Sequence, residues 1–122
     1  MERNVVGWFE IPVKDFNRAK DFYSLLFDLS MEDLPMPDSQ MAAFPMKEAE
    51  GAAGAIVRAE GYEPAKTGTI VYFSCVDVEV SLAKAVELGA EVVIPKTSIG
   101  EHGFIGHFFD LEGNRVALHS LK

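Results

Sequence analysis

The sequence predicts an α+β fold of two βαβββ modules, about 3–59 and 68–122, joined by a polar linker over 60–67. Three observations carry this. Two stretches are alike, "VGWFEIPVKDFNRAKDFYSLLFDLS" and "GTIVYFSCVDVEVSLAKAVELGAEV"; each is an apolar run, an Asp and a helix-like run, and Asp15 and Asp77 lie 62 residues apart. Each helix-like run is followed by three short strand candidates. Between the halves lies "EGYEPAKT", polar and interrupted by Pro64.

The elements follow in order. "VVGWFEIPV" mixes β-branched and aromatic residues and reads as a strand. Its alternation puts Val5, Gly7, Phe9, Ile11 and Val13 on a face suited to packing under a helix. Val6, Trp8, Glu10 and Pro12 share the other face, where a Trp and a carboxylate are unusual for plain core. Asp15 can cap a helix by accepting amide hydrogens of its first turn. Phe16, Ala19, Phe22, Tyr23, Leu26 and Phe27 then recur at helical spacing. Strands are expected at 29–35, 40–46 and 53–59. In the second half Asp77 is the matching cap, Val80, Leu82, Ala83, Val86 and Leu88 form the expected stripe, and Gly89 stops the helix. Strands are expected at 90–94, 103–109 and 115–120, the last two joined by the turn "DLEGN". Met31, Met36, Met41 and Met46 suit core filling or an adaptable apolar lining.

Composition narrows the function. Nineteen acids against eleven Lys and Arg give a net charge of −8, which opposes nucleic-acid binding and anionic membrane surfaces. The single Cys75 cannot form an internal disulfide, sits in the apolar run "TIVYFSCV", and suits a reducing cytoplasm. No secretory signal or membrane span is expected.

With "FEIPVKDFNRAKDFY", "VYFSCVDVEVSLAKAVELGAEVVIPK" and the ending "FFDLEGNRVALHS" in this order, the chain resembles the vicinal oxygen chelate superfamily, that of glyoxalases, bleomycin-resistance proteins and extradiol dioxygenases. The resemblance implies that the modules pair their sheets into a curved, partly open barrel with helices outside and a small-molecule cavity inside. It also implies a homodimer. Many members hold a divalent metal with His, Gln or Glu. Carried onto this sequence, the ligand positions hold Trp8, Ile70 and Ala117, and "GAAGAIVRA" offers no ligand before Arg58. Those side chains cannot replace imidazole or carboxylate, so no metal cofactor is expected at the usual site.

The same face also carries Glu10, Tyr72 and His119, two residues beyond those positions. Three readings stand for them. Glu10 and His119 form an acid–base pair able to move a proton; Glu10, His107 and His119 hold a divalent metal at a displaced site; or these groups bind a ligand or brace the fold. The alternation of "FIGHFFD" does not assign His107 to a face, and His102 lies in a loop that could close the cavity mouth. The expected binding set is Trp8, Glu10, Phe44, Ile70, Tyr72, His102, His107, Ala117 and His119, with Trp8, Phe44 and Tyr72 suited to a flat aromatic ligand. The expected activity is small-molecule binding, the alternative a lyase- or dioxygenase-type enzyme using the displaced metal or Glu10 with His119, and a third an interaction subunit with a vestigial cavity.

Overall fold

A computed structural model describes residues 4–46 and 51–122. The expected start of the first module at residue 3 lies outside them. The chain forms two compact units that divide at Pro64 and Ala65.

The first unit runs β1 (Trp8–Pro12), α1 (Phe16–Phe27), β2 (Glu32–Leu34), β3 (Gln40–Ala43) and β4 (Ala53–Arg58), in the sheet order β1-β4-β3-β2. The β1–β4 pair is parallel and the others antiparallel. β1 begins later than expected; Val5 and Val6 precede it and are exposed. Asp15 caps α1, its side chain accepting the Arg18 amide. The helix ends at Asp28, the only non-glycine residue with positive φ among those described. Phe16, Ala19, Phe22, Tyr23 and Leu26 are buried, as the helical spacing predicts. Phe9 from β1 packs near Phe44, which meets Tyr23 and Phe27 of α1 at centroid distances of 5.6 and 6.4 Å. This aromatic cluster fills the space between sheet and helix. Gly54, beside Phe9 in the register, leaves room for that ring, which a Cβ would meet at 2.4 Å.

The second unit repeats the plan with β5 (Tyr72–Ser74), α2 (Val78–Glu87), β6 (Glu91–Ser98), β7 (Phe104–Phe109) and β8 (Arg115–Ser120), ordered β5-β8-β7-β6. Asp77 caps α2 through the Glu79 amide and also pairs with Lys96 at 3.0 Å. That hydrogen bond from Lys96, then the Glu79 amide, holds its carboxyl below the usual range. Gly89 follows the helix with a φ of 108°, a conformation open to glycine. The buried face of α2 is Val78, Leu82 and Ala85, whereas Val80, Ala83 and Val86 are exposed. The expected stripe is therefore wrong in all but Leu82 and the half-buried Leu88. Positions 78, 82 and 85 keep one helical face at steps of four and three, and Val80 and Val86 turn to solvent. β6 also runs beyond its expected end, past Pro95 to Ser98, by shifting register twice against β7.

Asp110 closes the β7–β8 turn, its Oδ1 accepting the Glu112 and Asn114 amides. The Asn114 side-chain oxygen accepts the Ala65 amide and ties the linker's end to this unit.

Candidate ligand-binding site

Each sheet has one face under its helix and one face away from it. In the second unit the helix face is marked by Gly106, where a Cβ would lie 2.6 Å from Leu82, and by Ser120, whose hydroxyl accepts the Val78 amide. Gly106 pairs with Leu118. His107 pairs with Ala117, which also pairs with Tyr72, so these three share the face away from α2. The cross-strand pairing thus decides what alternation within β7 left open.

A chain of hydrogen bonds runs across this face. Arg115 Nε donates to His107 Nδ1 at 3.1 Å, and His107 Nε2 lies 2.8 Å from the Tyr72 hydroxyl. The two rings meet edge to face at 5.3 Å. Burial first, and the Arg115 charge second, hold the His107 pKa below its ordinary value. His107 is buried, Tyr72 is 48% exposed, and Ala117 between them is fully buried.

His119, on the same face, places Nε2 2.6 Å from the His102 carbonyl oxygen. A carbonyl only accepts, so Nε2 carries the hydrogen and, in the neutral ring, Nδ1 is left as an acceptor. This bond pins the 3-10 turn Gly100–His102 to β8. Gly103 follows at a φ of 100°, and a Cβ there would lie 2.2 Å from the Ser120 carbonyl oxygen. The His102 side chain is exposed beside Glu101. Ile70 is half-buried and precedes β5. Cys75, whose Sγ lies 3.6 Å from the His119 carbonyl, has its thiol pKa raised mainly by burial, which suits packing rather than nucleophilic chemistry.

In the first unit Glu10 is bound at both oxygens. Trp8 Nε1 donates to one at 3.3 Å and the Tyr62 hydroxyl to the other at 3.0 Å. The hydrogen bond to Glu10, and then its charge, raise the Tyr62 pKa. Trp8 is 40% exposed. A cleft of about 590 Å³ opens where Tyr62 meets Lys14, Gln40 and Arg58. It lies at the strand ends, carries charges of both signs and includes none of the expected binding residues, so the sheet face fits the sequence reading better. Phe44 is placed differently from its expected role in ligand stacking, since it belongs to the aromatic core under α1.

Tyr62 and Arg115 are the partners that the sequence reading missed. Alternation puts Arg115 on the face of Ala117 and His119, which was a usable signal. Nothing local marks Tyr62, which lies 52 residues from Glu10 in a polar linker.

The donor set at the family's metal positions can now be judged. Trp8 has only an N–H, already given to Glu10, while Ile70 and Ala117 have no donor atom. These residues do not fit a divalent metal. Among the described residues, no three His, Cys, Asp or Glu side chains gather to hold one elsewhere.

The family model for the Glyoxalase/Bleomycin resistance protein/Dioxygenase superfamily matches residues 5–118. The chain belongs to this superfamily. It is similar to CFP32 of Mycobacterium bovis and of Mycobacterium tuberculosis, proteins bearing a provisional glyoxylase name, at 28% identity over 92% of this chain. The chain spans 44% of their length. Among solved structures it resembles TnmS3, an antibiotic binding protein from Streptomyces sp. CB03234, with a TM-score of 0.74, 25% identity and coverage of 98% of both chains. It also shares the fold of the fosfomycin resistance protein FosX from Listeria monocytogenes, with a TM-score of 0.67 and 20% identity over 98% of this chain and 92% of that one. No helix among the described residues is long and apolar enough to cross a membrane.

Proposed function

We propose that this superfamily member binds a small, largely apolar aromatic molecule without a metal, using an exposed sheet face such as that of Tyr72 in the second unit. One observation carries the reading. Where relatives in the family place metal ligands, this chain has Trp8, Ile70 and Ala117, and beside them stand exposed aromatic rings whose polar atoms are already oriented. Oriented aromatics with few polar groups suit recognition of a flat ligand. The likeness to an antibiotic binding protein supports the same class of activity. The reading includes a homodimer in the cytoplasm, with a solution mass of twice that of the chain by light scattering.

The test is a thermal-shift screen of aromatic compounds with and without divalent metals. A melting temperature that climbs with ligand concentration in chelator-treated protein is the expected outcome. A shift that requires one equivalent of metal, or no shift with any compound, would sink the proposal.

A second reading rests on His119. Its Nδ1 is left as an acceptor once Nε2 donates to the His102 carbonyl, which gives the face one candidate general base. An enzyme of this kind loses turnover in His119→Ala while retaining ligand affinity.

A further inference from the structure

We infer that Arg115, by holding His107 in one tautomer, leaves the Tyr72 hydroxyl hydrogen for a bound molecule, so that the second module selects aromatic ligands bearing an anionic oxygen. The inference rests on the binding function proposed above and names the chemistry its ligand must have.

The direction of each bond follows from the groups themselves. A guanidinium has donors and no acceptor, so His107 Nδ1 at 3.1 Å from Arg115 Nε must accept. A neutral imidazole accepting at Nδ1 carries its hydrogen on Nε2. That nitrogen therefore donates to the Tyr72 hydroxyl oxygen 2.8 Å away. The phenol is an acceptor within the protein, and its own hydrogen is left to point outward. Tyr72 is 48% exposed, so that hydrogen is available to a bound molecule. A protonated His107 would set an N–H against the Arg115 N–H, and burial already disfavours that charge.

Arg115 adds a second feature. It is half-buried, and among the described residues it makes no ion pair, although the chain has nineteen acids. Its terminal nitrogens are donors only. The exposed hydrogen of Tyr72 and this guanidinium thus offer hydrogens and positive charge around the methyl of Ala117. An apolar ring with a carboxylate or similar oxygen matches that arrangement; an amine does not.

The test uses the full chain and two aromatic probes that differ in one group, 2-naphthoate and 2-naphthylamine. Calorimetry should show naphthoate bound more tightly than the amine, and Tyr72→Phe should weaken naphthoate about tenfold, the usual size for a hydrogen bond to a charged group, while leaving the amine unchanged. In parallel, nitrogen-15 spectra of labelled histidines should show His107 as the Nε2–H tautomer at neutral pH, with Arg115→Met mixing the two tautomers. Naphthoate affinity unchanged in Tyr72→Phe, equal binding of the amine, or an Nδ1–H or charged His107 would each overturn the inference and leave the binding function standing. If neither probe binds the wild-type chain at millimolar concentration, the proposed function and this ligand preference fall together.

Discussion

Glu10 and Tyr72 occupy the same place in the two modules. They lie 62 residues apart, and their register partners, Ala55 and Ala117, keep the same spacing. Yet Glu10 can only accept, whereas Tyr72 accepts and also carries a hydrogen of its own. Glu10 receives hydrogens from Trp8 and Tyr62. Tyr72 receives one from His107 and keeps its own. The reason lies two strands away, in β3 and β7. Ala117 pairs with His107, but Ala55 pairs with Ala43, which has no polar group. The first module must therefore bring its second donor from the linker, while the second module has it within the sheet. A repeated backbone carries different hydrogen-bonding groups at one register position, with His107 and Arg115 added beside Tyr72 in the second module.

The space between sheet and helix differs as well. The first module fills it with rings, and the second brings the helix close over Gly106. Phe44→Ala should break the first arrangement most severely. Removing this buried ring should cost about 3–5 kcal/mol in denaturant unfolding, a loss that a ligand-facing aromatic would not produce. Gly106→Ala tests the second arrangement by making it resemble the first, where the matching register position is Ala42. The new methyl meets Leu82 and Val78 at 2.6 and 2.8 Å, and overpacking of this kind should cost about 1–3 kcal/mol. A neutral result would mean that α2 moves freely over its sheet.

The smallest expected effect concerns acid. His107 has a folded pKa below its ordinary 6.5, so the unfolded chain takes up its proton first. The stability associated with its neutral form is complete above 6.5 and is lost as pH falls through the lower folded value. His107→Gln should flatten the acid side of the stability curve in that window. An unchanged slope would mean that His107 titrates alike in the folded and unfolded chain. The first module has no described histidine and should not contribute to that slope.

Much of this fold was legible because it depends on local chemistry. The caps Asp15 and Asp77, the stop at Gly89 and the strand at Arg115–Ser120 follow from single residues and short patterns. The buried face of α2 differs from the expected stripe because apolar identity does not set orientation; Val80 and Val86 are as apolar as Val78 but point outward. The strand expected over 90–94 continues to Ser98, because two register shifts carry β6 past Pro95. In the candidate site, alternation gave the shared face of Ala117, His119 and Arg115. The side of His107 depended on its partner in β8, since both alternating sets in β7 are apolar. The partnership of Glu10 with Tyr62 depended on the path of the linker, which no periodic pattern records.

The two register shifts in β6 shape the open rim of its sheet. β6 is one of the two outer strands of its sheet, and a straight outer strand is a template on which another chain can add its own. Pro95 removes an amide hydrogen from that rim, Lys96 adds charge, and the shifts at Val92, Ile94 and Thr97 interrupt its repeat. A foreign strand laid along it would lose step within a few residues. This rim therefore discourages runaway, amyloid-like stacking.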